Sequence, residues 1–163
     1  MIDQENAKSE KKQLVLLRTL IAVIFTGVGF GFVMAFVSNG FVLGVEWLSV
    51  LRASASFLVL NLGDLSLSFG PLVSLLIAAC AILVVRRLFG IVRWHGPADS
   101  IYAAHRTDNE LDVKHGFGST LAAFISASGG ASVGQYGPLV HFGATMGSFI
   151  RQITGSKITT DVF

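Results

Sequence analysis

The chain alternates long uncharged runs with short polar segments. Residues 19–37 contain no charged residue, and residues 65–85 form a second uncharged run. A helix of about 20 apolar residues is long enough to cross the roughly 30 Å hydrocarbon core of a bilayer. The pattern therefore predicts two membrane-spanning helices, with Pro71 near the start of the second one because proline fits the first turn of a helix.

A third uncharged region, residues 116–150, is divided by a glycine-rich break over residues 129–138. As helices, the two flanking pieces, residues 116–128 and 138–150, would each be roughly 20 Å long, too short to span a bilayer. Broken helices at membrane depth are tolerated where their backbone is buried in protein or lines a polar cavity. The break therefore predicts an ion or solute site inside a membrane protein.

The connecting segments carry the charged residues. We expect interfacial or partly inserted helices over residues 38–70, where Glu46, Arg52 and Asp64 interrupt the apolar pieces. Residues 95–115 are polar, and Pro97 followed by Asp99 predicts the start of a short helix that reaches residue 105.

Composition and charge agree with a membrane protein. Charged residues make up 13% of the chain, about half the usual share in a soluble domain. Basic residues precede the first span, and Arg86, Arg87 and Arg93 follow the second, so the positive-inside rule predicts a cytoplasmic N-terminus. We expect residues 1–18 to form a cytoplasmic segment and residues 19–163 a membrane domain in a plasma or inner membrane.

Several function classes find no support in the residues. No basic patch is interleaved with aromatic residues, which argues against nucleic-acid binding. No nucleophile–base pair, catalytic carboxylate pair or closed metal-ligand spacing is present, and no cofactor fingerprint follows a strand. We therefore expect neither an enzyme nor a bound metal or cofactor.

The best candidate site is the end of the glycine-rich break, where a helix begins. Free N–H groups of a first helical turn, together with the helix dipole, bind an anion without a cationic side chain. Glycine lets the backbone approach the ion closely, and proline at the first position costs no hydrogen bond. The predicted anion pathway contains Gly134, Gln135, Tyr136, Gly137 and Pro138.

Residues 129–147 resemble the CLC family of chloride channels and proton-coupled chloride transporters. The second signature of that family reads Gly-(Lys/Arg)-Glu-Gly-Pro, and residues 134–138 here read Gly-Gln-Tyr-Gly-Pro. The resemblance implies an all-α integral membrane fold, the N-terminal part of an inverted repeat with broken, partly spanning helices. It also implies chloride or another small anion as the transported species, contact with membrane lipid, and a homodimer whose interface lies outside this chain.

The chain departs from the family pattern at the positions that matter most. Tyr136 stands where the family has its gating glutamate, and a tyrosine cannot exchange protons near neutral pH as a carboxylate does. The family's first signature, Gly-Ser-Gly-Ile-Pro, has only a weak counterpart, which gives a less certain pathway group of Trp94, His95, Gly96 and Pro97. The sequence also stops before the third signature, so we expect a first-half fragment.

Two questions stay open at this level. His141, one turn beyond Pro138, is either a proton relay or a packing histidine. The tyrosine favours passive, channel-like flux through the pore. The alternatives are a non-conducting membrane scaffold or regulatory subunit with the same fold and, less favoured, a proton-coupled anion exchanger.

Overall fold

A computed structural model of the chain describes residues 2–54, 59–62, 65–106, 110–132 and 134–154, with side chains from residue 11 onward. Most of these residues are helical, as the sequence predicts. The elements in chain order are α1 Ile2–Ser54, β1 Val59–Leu62, β2 Leu65–Ser68, α2 Gly70–Phe89, α3 Pro97–Ala104, α4 Val113–Gly129 and α5 Tyr136–Thr154.

Helix α1 is one continuous element of 53 residues, about 80 Å long at 1.5 Å per residue. The expectation that residue 38 begins a connecting segment of separate helices is therefore wrong. Glu46 and Arg52 interrupt the apolar pattern but not the backbone, because a charged side chain does not end a helix as proline does. The helix also passes without a break through residue 18, where the composition changes from polar to apolar.

A short hairpin corrects the expected start of the second span, in a structure whose described residues are otherwise mostly helical, consistent with the expected all-α class. Strands β1 and β2 pair antiparallel, with Leu62 opposite Leu65 and Val59 opposite Ser68. Residues 65–68 read Leu-Ser-Leu-Ser, and this alternation of period two is typical of a strand. Lack of charge alone made the segment resemble a membrane span.

Helix α2 begins beside the proline that the sequence predicts near its start, and a glycine ends it. Pro71 lies in its first turn, and Gly90 ends it in the left-handed conformation with φ 68°. Among the described residues, Lys11–Ser54 and Gly70–Phe89 are the two helical segments long and apolar enough to cross a membrane.

The predicted broken helix pair is confirmed. Each helix is longer at both ends than the sequence predicts. Helix α4 has 17 residues and α5 has 19, so the break shrinks to residues 130–135. Asp112 caps α4 by accepting a hydrogen bond from the backbone N–H of His115. Gly130 ends α4 with φ 100°, a conformation that glycine adopts without steric cost.

Helix α4 lies at the centre of α2–α5, which we call the helix cluster. It packs against α2, α5 and the last third of α1. Small residues allow this close approach, because a Cβ on Gly116 would collide with Thr145 of α5 and one on Gly129 would collide with Ala78 of α2. Phe41 of α1 stacks edge-on against Phe124 of α4, with ring centroids 5.1 Å apart.

Candidate functional site

Helix α5 begins two residues earlier than expected, so Pro138 occupies its third position. The first hydrogen bond of the helix runs from the Leu139 N–H to the Gln135 carbonyl at 3.3 Å. The N–H groups of Tyr136 and Gly137 precede this bond and have no acceptor within the helix, whereas Pro138 has no N–H to offer. Two backbone donors and the positive end of the helix dipole therefore remain at the start of α5.

The first turn of α5 is open where the sequence places the anion pathway. Tyr136 is 77% exposed, so the described chain leaves most of its surface uncovered. A Cβ added to Gly134 would meet no atom within 4 Å. Space inside this chain therefore does not require a glycine at residue 134.

The fold brings the weaker signature beside the stronger one. A Cβ on Gly137 would lie 3.4 Å from Cγ of Pro97, the first residue of α3. The N-terminal ends of α3 and α5 are thus neighbours, although 40 residues separate these two positions in the sequence. Trp94 precedes this contact and is 39% exposed.

The start of α3 is already partly neutralised by an acidic side chain. The Gly96 N–H donates to Oδ2 of Asp99 at 2.8 Å, and Asp99 also forms an ion pair with Arg93. A carboxylate in this place satisfies a free backbone donor and offsets the helix dipole. The start of α5 has no acidic residue in its first turn, so its positive dipole end is less neutralised than that of α3.

Two carboxyl groups in the polar segment between α2 and α4 have perturbed acidity. Partial burial raises the pKa of Asp99, but the Gly96 N–H and the Arg93 guanidinium outweigh it and hold the pKa below its usual value. Burial likewise raises the pKa of Asp112, and the backbone N–H and ring of His115 more than offset that effect. Both groups are carboxylates at neutral pH.

Three histidine rings meet below the start of α5. The centroid of the His95 ring lies 5.5 Å from that of His115 and 6.3 Å from that of His141. His141 is buried, with 1% of its surface exposed, and its Nδ1 lies 2.8 Å from the Ser100 hydroxyl. The backbone N–H of His95 donates to the Ser119 hydroxyl at 2.9 Å, which fixes this loop against α4.

Arg52 also belongs to this region, although the sequence indicated it only as a charged interruption of an apolar segment. Its Nη1 donates to the Ser128 carbonyl of α4 at 3.2 Å, and a Cβ on Gly130 would collide with the same guanidinium. A cation therefore lies at the glycine-rich break. In the sequence, the only indication was a single arginine in an otherwise apolar stretch. The neighbouring residues do not show which helix end its side chain reaches.

A polar cavity of about 750 Å³ opens beside the histidines. Charged and aromatic side chains line it, among them Arg93, His95, Asp99, Tyr102, Asp112 and Lys114. Within the part of the chain that the structure describes, no three His, Cys, Asp or Glu residues are arranged to hold a metal ion.

These features define a class of protein: a helical protein with two helices apolar and long enough to cross a membrane, and a broken helix pair whose second helix begins with free backbone N–H groups. The sequence profile of the voltage gated chloride channel family matches residues 74–161, which is more than half of the chain. The chain belongs to this family, whose members are integral membrane channels and transporters and not enzymes. No curated protein and no solved structure matches the chain significantly.

Proposed function

We propose that the protein conducts chloride or a similar small anion passively, with the start of α5 as its anion-binding element. The observation that supports this best is the neighbouring placement of two helix starts at Pro97 and Gly137. Two positive dipole ends at one place attract an anion more strongly than either alone, and partial charges release it again.

Arg52 strengthens the positive potential at the break. Residue 135 is glutamine where the family signature has a basic residue, so the loop itself supplies no cation. The guanidinium of Arg52 reaches the end of α4 from a different helix. Within a low-dielectric membrane domain, a single cation near the pathway raises the local anion concentration.

Tyr136 occupies the gate position, and its chemistry favours channel-like flux. A glutamate there would compete with the anion for the same N–H groups while ionised and would leave them when protonated. The phenol, with a reference pKa of about 10, stays neutral at physiological pH and donates a hydrogen bond instead. Flux through this protein should therefore not require a proton at residue 136.

The test is Tyr136→Glu in the full-length protein, reconstituted in lipid vesicles, with Tyr136→Gln as the matched neutral control. The glutamate variant should conduct poorly near neutral pH and recover several-fold toward pH 5, since protonation removes the competing carboxylate. Chloride flux measured across this pH range should stay flat in the glutamine variant. Equal pH profiles for the two variants would show that residue 136 is not at the gate.

A second function, a non-conducting scaffold or regulatory subunit, is favoured by the start of α3. The Asp99 carboxylate already accepts the hydrogen bond of the Gly96 N–H, so the start of α3 is less available to an anion. Absence of chloride flux from folded, reconstituted protein, together with absence of chloride binding, would favour this alternative over conduction.

We also propose the membrane placement and the partners. The exposed apolar side chains along α1 would contact lipid in a plasma or inner membrane, and a homodimer would form through an interface outside this chain. Basic residues before the first span and after the second would place the N-terminus in the cytoplasm. Protease protection of an N-terminal epitope in oriented vesicles tests this orientation.

A further inference from the structure

An apolar cavity of about 450 Å³ lies where α1, α2, α4 and α5 meet. The phenylalanine rings in its wall are Phe41, Phe89, Phe117, Phe124 and Phe142. Thr120 also lines the cavity, but its hydroxyl already donates to the Gly116 carbonyl at 3.0 Å. The described side chains of the wall therefore leave no unpaired hydrogen-bonding group for an anion or a polar ligand, and the cavity suits an apolar one.

The side chains around the cavity are held in a way that keeps it open. Phe41 packs edge-on against Phe124 with ring centroids 5.1 Å apart, and Phe117 packs against Phe142 at 5.4 Å. The rings cannot turn into the space without losing these contacts. Gly40 has no side chain to fill it, and a Cβ there would meet nothing within 4 Å. Because empty space forfeits van der Waals contacts along the wall, an apolar ligand that fills it stabilises the fold.

The cavity opens onto the apolar outer surface of the chain. Leu121 lines the cavity and is 42% exposed. Phe36 and Val140, which are next in sequence to lining residues of α1 and α5, are 66% and 63% exposed. Members of this family are integral membrane proteins, so the medium outside such a surface is lipid.

The volume of the cavity distinguishes a lipid tail from a helix of a second copy. A helix with its side chains is about 10 Å across and rises about 5.4 Å per turn, so one turn occupies roughly 420 Å³. The cavity therefore has room for about one helical turn, which is too little to dock a helix. A lipid tail is narrow, flexible and wholly apolar, so it can enter between the rings from the surrounding bilayer.

We propose that this cavity binds one acyl chain of a membrane lipid, which packs between the phenylalanine rings and against Leu139 in the first turn of α5. The Leu139 N–H donates the first hydrogen bond of that helix, so the tail supports the helix start from its apolar side. The ligand is not the transported anion, and the site does not depend on the proposed function.

The experiment is photo-crosslinking of the full-length protein in vesicles of phosphatidylcholine, a small part of which carries a diazirine in one acyl chain. Peptide mass spectrometry then locates the label. Residues 117–124 of α4 should be labelled several-fold more than Phe25, because a bound tail stays in place during the flash. Phe25 is 76% exposed on α1 and serves as the reference for passing lipid.

Two variants and a control assign the label to the cavity. Gly40→Leu places a side chain in the cavity and should reduce the label on residues 117–124 several-fold, without changing the label on Phe25. Gly31→Leu is the matched control, because a Cβ there also meets nothing within 4 Å and residue 31 does not line the cavity. Leu121→Trp narrows the opening at an exposed position and should act like Gly40→Leu, so it decides the question if that variant fails to fold.

Three outcomes would overturn the site. Label on residues 117–124 that does not exceed the label on Phe25 would mean that no tail is held there. Label that persists in Leu121→Trp and in folded Gly40→Leu would mean that lipid reaches α4 by another route. Complete protection of residues 117–124 would mean that protein, from a second copy or another part of the chain, fills the space. Chloride flux enters none of these results, so the proposed function is tested separately.

Discussion

Helix α1 and the helix cluster use their apolar residues in opposite ways. No residue in the most apolar stretch of α1 is fully buried by the rest of the chain, and Phe25 is 76% exposed. In the helix cluster the most buried side chains are polar ones, His141 at 1% and Thr145 at 0% exposed. Lipid is as apolar as leucine, so membrane helices gain stability from close contact of small and polar residues. The apolar side chains of α1 therefore face outward, whereas polar side chains are buried within the helix cluster.

The largest expected effect comes from placing a side chain where two helices of the cluster touch. Gly116→Val should destabilise the fold by about 1–3 kcal/mol, the usual cost of overpacking, because Thr145 is fully buried and cannot move aside. Thermal unfolding in detergent measures the loss. Gly31→Val in α1 is the matched control, since a Cβ there meets nothing within 4 Å. Equal losses for both variants would contradict the comparison between the two regions.

A smaller effect is expected where the two regions meet. Arg52→Gln removes the cation that α1 contributes to the break and weakens a charge-assisted hydrogen bond to Ser128. Chloride flux in vesicles should fall several-fold, more at low than at high salt, because salt screens the remaining potential. Arg18→Gln, on an exposed part of the same helix, should leave flux unchanged. If both variants conduct alike, the contact at the break has no electrostatic role.

The smallest effect concerns acid. Because the pKa of Asp99 is lower in the folded state, its contribution to stability is fully present above the unfolded pKa of about 3.9. That contribution is lost as the pH falls through the folded value. It should amount to about 0.3–1 kcal/mol, typical of a charge at a helix start. The free energy of unfolding should differ less between pH 6 and pH 3 in Asp99→Asn than in the wild type. An equal pH dependence in the two proteins would contradict a stabilising role of the Asp99 carboxylate.

Local signals determined much of the architecture. The uncharged runs predicted the helical content, and Pro71 and Gly90 bracket α2 as such residues do in isolated helices. The break before α5 and the short α3 were predicted within a few residues. The predictions were wrong at residues 38–54 and 65–68. The hydrophobic period and helix-breaking residues, and not the charged residues, decide where helices and strands begin and end.

The site divides along the same line. The sequence alone determined that a helix with free amides begins near Pro138 and that a tyrosine stands where the family signature has glutamate, because both depend on neighbours within one turn. Only the tertiary structure decided that Arg52 reaches the break and that three histidines meet beneath it. These contacts join residues 20 to 76 positions apart, and no pattern of period two or 3.6 carries information over such distances. Close helix packing at the glycines of α4 brings them together.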